Sequence, residues 1–170
     1  MDHPCLKCGT LMMVDRIPAA GHPPDLACPA CATSCVIAGG ASELAIWQAE
    51  MTLGVRFPPS YRAFLALYGA GFWPGGCEIA GLFDQPDTSA PPYWQNVVTW
   101  NLQQRRGPHG LPPRYVAISH DGMEATFLLD TGSPELESPV VVLGPGWDFL
   151  VIAPNFNAFV VACFNDALRY

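Results

Sequence analysis

The order of patterns along the chain predicts an α+β fold: an antiparallel sheet flanked by helices, preceded by a small cysteine-knuckle module. Three observations carry this. Two Cys-x-x-C pairs lie within the first 31 residues. A proline corner, Leu53 to Gly69, separates two helix-type patterns. From Tyr115 to Ile152, four β-rich segments follow one another with short connections, as an antiparallel meander requires. Helices gathered apart from such a meander make an α+β domain rather than an alternating α/β one.

Composition narrows the function classes. The chain has 170 residues, enough for one good core and a small appendage. It is 50% hydrophobic and 14% charged, which fits a globular protein and not a disordered one. Four Pro-Pro pairs, at 23–24, 58–59, 91–92 and 112–113, punctuate it as loops. The formal net charge of −7 makes a poor nucleic-acid binder, because phosphate contacts need clustered Lys and Arg. The start, MDHPCLKCGT, lacks a basic region followed by an apolar one, and the apolar runs at Val140–Leu143 and Phe159–Phe164 are too short for a bilayer. No membrane partner is expected. Seven cysteines, four of them in metal-type pairs, fit a reducing cytoplasm better than a disulfide scaffold.

Cys5-Leu-Lys-Cys8 and Cys28-Pro-Ala-Cys31 give the spacing C-x2-C-x19-C-x2-C. Each knuckle turns two thiolates toward one point, and two knuckles complete a tetrahedron around zinc. Residues 1–38 therefore read as a zinc-ribbon module, with two free or disulfide-bonded cysteine pairs as the alternative. His3, His22 and Cys35 are bystanders once four thiolates fill the shell. With no open coordination position the zinc is structural, and such a site can supply on the order of 10 kcal/mol of folding free energy. The module has Lys7 and Arg16 against Asp2, Asp15 and Asp25, which again argues against nucleic acid.

Residues 42–170 form the second unit, after Val36–Ala41 with Gly39-Gly40 as a hinge. Ser42 caps a helix running to about Leu53, with Leu44, Trp47 and Met51 as its apolar stripe and Trp47 as a core residue. Gly54 closes it, Pro58-Pro59 turn the chain, and Ser60 or Pro59 opens the next helix. Tyr61, Phe64, Leu65 and Tyr68 then recur at i, i+3, i+4, i+7. Residues 69–76 are a glycine-rich loop whose Phe72 and Trp73 either fold back over the core or anchor a partner. Residues 78–83 are a short strand and 84–92 a polar loop. A third helix spans Tyr93–Arg106, with Trp94, Val97, Val98 and Leu102 on one face and Arg105-Arg106 against its C-terminal dipole. Strands are expected over Tyr115–Ser119, Ala125–Asp130, Val140–Leu143 and Phe149–Ile152. Asn155 caps a last helix that buries Phe156, Phe159, Val160, Cys163 and Ala167. Cys77 and Cys163 read as small core residues.

Several of these features, in this order, resemble the SUKH superfamily, which includes many bacterial immunity proteins and the yeast cell-wall regulator Smi/Knr. They are Gly54, Phe57-Pro58, Tyr61-x-x-Phe64-Leu65 before Gly69, Glu78-Ile79, Leu111-Pro112 before Tyr115-Val116-Ala117-Ile118, Asp121-Gly122, Leu129-Asp130, and Ile152-Ala153 before a polar cap. The resemblance covers roughly residues 43–168. It departs at Phe57, where leucine is usual, and at Met123-Glu124, where small and acidic residues usually follow the turn.

The resemblance implies a SUKH-like fold and binding rather than catalysis. The partner implied is a cognate bacterial toxin of the nuclease or deaminase class, itself basic, blocked in the cytoplasm. Phe72 and Trp73 are the candidate aromatic anchors. Glu78, Asp84, Asp87, Asp121 and Glu124, in or beside loops, are the candidate acids, each with an ordinary solvated charge as the alternative. A regulatory or scaffold adaptor for an endogenous protein is the alternative function. His109, His120 and Cys163 are the residues that invite an enzyme reading, but no Ser/Cys–His–acid pattern is legible.

Overall fold

The computed structural model describes residues 5, 8, 12–16, 25–31, 34–73, 77–83, 95–108 and 110–170. They form an α+β structure with two antiparallel sheets and four helices. The first sheet has the order β1 (Met13–Arg16), β2 (Asp25–Ala27), β3 (Ser34–Ile37), β4 (Gly71–Trp73), β5 (Cys77–Ile79). The helices α1 (Glu43–Leu53) and α2 (Pro59–Tyr68) intervene between β3 and β4. After α3 (Val97–Arg106), a meander of β6 (Tyr115–His120), β7 (Thr126–Asp130), β8 (Val140–Gly144) and β9 (Trp147–Ala153) makes the second sheet, and α4 (Phe156–Phe164) follows.

The N-terminal strands are not a separate sheet. Val36 pairs with Phe72 and Ile37 with Gly71, so β3 joins the cysteine-bearing hairpin to β4. The segment expected to be a hinge is held along α2 instead. Ala38, Gly39 and Ala41 donate their N–H groups to the carbonyls of Ala70, Tyr68 and Leu65, at 3.0, 3.0 and 2.9 Å. A Cβ at Gly40 would fall 2.1 Å from the Ala66 carbonyl oxygen. Glycine is therefore used at that position for close approach.

The two helices at the proline corner differ in which face they bury. In α2 the expected stripe holds: Tyr61, Phe64, Leu65 and Tyr68 are all buried, and Tyr61 packs edge-on against Phe57 and Phe156. Burial pushes the Tyr61 phenol well above its usual range, while its hydroxyl donates to the Ala80 carbonyl at 2.7 Å. In α1 the expected stripe is overturned. Leu44, Trp47 and Met51 are 63%, 55% and 63% exposed, and Ile46, Ala49, Glu50 and Leu53 face the core. The buried set is also a helical stripe, at i, i+3, i+4, i+7, but a glutamate sits within it. Glu50 is tolerated there because its carboxylate is fully used. One oxygen accepts from the Phe57 N–H at 2.8 Å and the other from the Arg62 guanidinium at 2.5 Å.

Gly54 closes α1 in the left-handed region (φ 66°), as its position predicts. Ser42 accepts from the Ala45 N–H at the other end. α2 begins at Pro59 with no local side-chain cap. The Ser60 N–H and hydroxyl instead donate to Glu137, 77 positions away, at 3.1 and 2.6 Å. A carboxylate from the β7–β8 connection thus caps a helix start, where the macrodipole favours it.

α3 is shorter than expected. It starts at Val97, with the Asn96 side chain accepting from Val98 and Thr99, because Asn at that position ends the preceding segment as a cap. Tyr93 and Trp94 lie outside the described residues. Its buried face is Val97, Trp100 and Asn101, with Val98 and Leu102 packed against the core. Arg105 does not serve its own helix end alone. It donates to the Leu53 carbonyl, in the last turn of α1, at 2.7 Å and to the Pro113 carbonyl at 2.6 Å. Asn101 fastens α3 to β6, accepting from the Ala117 N–H at 2.7 Å and donating to the Ala117 carbonyl at 2.9 Å.

The meander matches its four expected segments closely. The last strand starts earlier than expected, at Trp147, because Phe149 is a bulge residue with φ 55° and does not break the pairing of Leu143 with Asp148 or Val142 with Leu150. Phe149 stacks on Tyr115 with centroids 4.1 Å apart. In α4, Asn155 caps as expected, with Phe156, Phe159 and Val160 buried. Ala167, expected in the same stripe, falls beyond the end of the helix and is exposed. Cys163 is partly buried against the core.

Candidate functional site

Two sets of residues singled out by the sequence are placed very differently. The first is the cysteine set. β2 ends at Ala27, and Cys28 leads directly into a turn that carries Cys31. Cys5 and Cys28 are buried, Cys31 is half-buried and Cys8 exposed. The four sulfur atoms all lie within 4.8 Å of one another. Cys8 Sγ is 3.4 Å from Cys28 Sγ and 3.7 Å from Cys31 Sγ, and Cys5 Sγ is 3.7 Å from Cys31 Sγ. A tetrahedral ion with metal–sulfur bonds of about 2.3 Å requires sulfurs about 3.8 Å apart, whereas a disulfide requires about 2.05 Å. The four sulfurs therefore have the spacing of a shared metal ion. His3 and His22 lie outside the described residues. Cys35 is buried within β3 and contacts the Met12 thioether at 3.8 Å, so it takes part in the core and not in the cluster.

The second set is the acids and aromatics. Phe72 is not on a loop: it lies within β4, opposite Val36 on one side and Glu78 on the other, and is 36% exposed. The chain around it folds into a strand because β3 and β5 both offer it pairing. Trp73 ends β4 and pairs with Cys77; the side chains of Trp73 and Cys77, with Asp84, Asp87 and His109, lie outside what the structure describes. Glu78 is half-buried. Burial pushes its carboxyl up, opposed by the Gln95 N–H donating to it at 3.1 Å and by nearby His120. The carbonyl of Glu78 accepts from the Ser119 hydroxyl, and Ala80 donates to the Ile118 carbonyl, so the two sheets meet here.

Asp121 sits two residues beyond that junction. Burial works against its ionisation, but N–H groups of Met123 and Ala125, donating at 2.8 and 3.1 Å, and the Tyr170 hydroxyl outweigh it and hold the carboxyl below its usual range. Its carboxylate organises the β6–β7 turn. Glu124 is exposed on the same turn. His120 accepts from the Gly122 N–H through Nδ1 and packs edge-on against Trp100. Phe72 and Glu78 are thus neighbours in register, and the Asp121–Glu124 turn continues from the strand that Glu78 touches. Both Glu78 and Asp121 also have structural work, which sequence spacing does not reveal.

Within this frame, the sequence profile of the SMI1 / KNR4 family (SUKH-1) matches residues 40–162, more than two thirds of the chain. The chain belongs to the SUKH-1 family. A search of curated proteins gives no match. The family span begins at Gly40, just past β3, so the four cysteines and the first three strands are additions to the SUKH-1 body. They extend the β4–β5 hairpin, which belongs to that body, into a five-stranded sheet. The corner residues Gly54, Phe57, Pro58, Tyr61, Phe64 and Leu65 all fall inside the family span, as do Glu50 and Arg62, and Glu50 ties α1 to the corner through the Phe57 N–H and the Arg62 guanidinium. Among the described residues, no helix is long and apolar enough to cross a membrane.

Proposed function

We propose that this SUKH-1 protein is a non-catalytic binding protein that neutralises a cognate bacterial toxin, of the nuclease or deaminase class, in the cytoplasm. The observation that carries the reading is family membership over residues 40–162. A net charge of −7 supports it, since it draws a basic toxin and speeds encounter. The exposed part of Phe72, with Glu78 beside it and Asp121 and Glu124 on the adjoining turn, offers an aromatic anchor with an acidic rim. Trp73, Asp84 and Asp87 remain candidates from the sequence alone. Of the residues that invite an enzyme reading, the His120 ring accepts a turn N–H and packs on Trp100, and Cys163 packs against the core; His109 lies outside the described residues.

The four cysteines would hold one structural zinc. All four ligand positions are sulfur, so no position is left for a reacting water. The role of the ion would be to fold the β1–β3 extension and present it on the edge of the sheet. Elemental analysis of protein purified without added metal is expected to give one zinc per chain, and Cys28→Ser to lose it. A wild-type chain free of metal would end the zinc assignment.

The function is tested by recovering the intact protein from its native host and identifying what accompanies it by mass spectrometry. A basic toxin domain in stoichiometric amount, whose nuclease or deaminase activity the purified protein then inhibits, is the expected result. A stable housekeeping complex, or a recovered toxin that remains active when saturated with this protein, overturns the reading.

A further inference from the structure

We propose, on the zinc assignment above, that metal occupancy of the four-cysteine site controls the order of β4, the SUKH-1 strand that carries Phe72. The chain of contacts is short. Cys28 follows directly on Ala27, the last residue of β2, and Ala27 pairs with Ser34, the first residue of β3. Cys5 and Cys8 reach the same place from the start of the chain, with Cys5 Sγ 3.7 Å from Cys31 Sγ and Cys8 Sγ 3.4 Å from Cys28 Sγ. One end of β3 is therefore fixed beside the sulfurs. Its other end pairs with β4, Val36 opposite Phe72 and Ile37 opposite Gly71. Glu78 pairs with Phe72 from the far side. Val36, Phe72 and Glu78 thus form one row across three strands on the outward face, and Ile37, Gly71 and Ile79 form the buried row behind it. Ile37 and Ile79 share one core with Leu26, Cys35 and Tyr68, so the added strands and the SUKH-1 body pack together.

These strands have little to hold them besides the cysteines. β2, β4 and β5 have 3 residues each and β3 has 4. A two-stranded hairpin of that length is marginal in water, and such strands depend on neighbours at both edges. Without an ion, four sulfurs at this spacing offer one another at most weak hydrogen bonds. The β2–β3 hairpin then loses its anchor, and β4 is left with β5 as its strand partner. The second sheet has no such dependence. Its strands run from 5 to 7 residues and bury Phe127, Leu128, Val140 and Val142. The opening also has a boundary on the α2 side, where the Gly39 and Ala41 N–H groups are bonded to the Tyr68 and Leu65 carbonyls. Metal loss thus withdraws Val36 from beside Phe72 and loosens the pairing that sets Phe72 against Glu78. An extension outside the family span gates a surface inside it.

The test is hydrogen–deuterium exchange of the full chain with zinc bound, after a chelator has removed it, and after zinc is returned, with metal content measured on every sample. Removal is expected to speed exchange in peptides covering β4 and β5 about tenfold or more, and to leave those covering β7 and β8 unchanged. Returned zinc is expected to restore the slow exchange. Cys28→Ser is expected to show the zinc-free pattern from the start. Zinc that leaves without any change in β4 and β5 overturns the proposal and leaves the zinc assignment standing. Wild-type protein that never holds zinc overturns both. An equal rise in β7 and β8 also overturns the proposal, because metal loss then opens the whole body and not one strand pair.

Discussion

α1 and α2 flank one corner and carry similar apolar stripes, yet one stripe is core and the other is surface. Tyr61, Phe64, Leu65 and Tyr68 disappear into the interior; Leu44, Trp47 and Met51 stand in solvent. The difference lies in what α1 carries on its other side. Ile46, Ala49 and Leu53 give it a second apolar face of smaller side chains, which fits where α2 and α3 pack against it, and Glu50 in that face holds the corner together through Phe57 and Arg62. Periodicity shows that a helix has a face. Which of two competing faces is buried depends on the volume left by its neighbours and on hydrogen bonds that side-chain hydrophobicity does not register.

The sharpest way to break this comparison is truncation on both helices. Phe64→Ala is expected to cost about 3–5 kcal/mol, because it opens a cavity among Tyr61, Tyr68 and Phe156. Trp47→Ala, measured in dilute solution, is expected to stay within about 0.5 kcal/mol. Urea unfolding with an unchanged slope checks both, and comparable losses from the two would mean that α1 buries its larger stripe after all.

Next in size is Glu50. Glu50→Ala leaves the Phe57 N–H without its acceptor and removes one of the two carboxylates from Arg62, for an expected loss of about 2–3 kcal/mol. Glu50→Gln keeps an acceptor for Phe57 and should lose less than half as much. Equal losses from the two would place the effect in charge alone. Glu137→Ala tests the distant cap on α2 and is expected to cost about 1 kcal/mol. An unchanged urea midpoint would show that the Ser60 groups find water as readily as Glu137.

The smallest expected effect is a change of slope. Burial holds the Glu78 carboxyl above its usual range. Folding then favours its protonated form, so its contribution is full below the usual glutamate range, near pH 4, and is lost as pH rises through the raised value. Glu78→Gln keeps an acceptor for the Gln95 N–H and removes that loss. It should therefore be at least as stable as wild type at neutral pH, with the difference vanishing in acid. Thermal midpoints from pH 3 to pH 8 measure it. A variant that is less stable at pH 7 would show that the Gln95 hydrogen bond needs the charge.

Much of the architecture was legible in the residues. The Cys-x-x-C spacing anticipated sulfurs that converge. Gly54, Pro58-Pro59 and Gly69 anticipated a helix end, a turn and a second helix end, and the β-rich runs after Tyr115 anticipated four strands in order. The candidate surface was legible only in part. Phe72 and Glu78 meet because β4 and β5 pair, but the sequence showed Phe72 in a loop, since Gly71–Trp73 is too short and too glycine-rich to signal a strand by itself. Asp121 looked like a free surface acid because two of its partners are backbone N–H groups, which have no signature in side-chain identity.

By itself, then, the sequence determined what depends on near neighbours: helix caps, the proline corner, the knuckles, the alternation of the meander. These follow from backbone conformation and spacing within a few residues. Tertiary structure alone decided the rest. It joined the cysteine-bearing strands to the SUKH-1 sheet through Val36–Phe72, turned Trp47 outward, and brought Glu137 to the start of α2 and Arg105 to the end of α1. Those choices rest on partners far away in the chain, and a polar group commits to such a partner only when folding removes the water that would otherwise satisfy it.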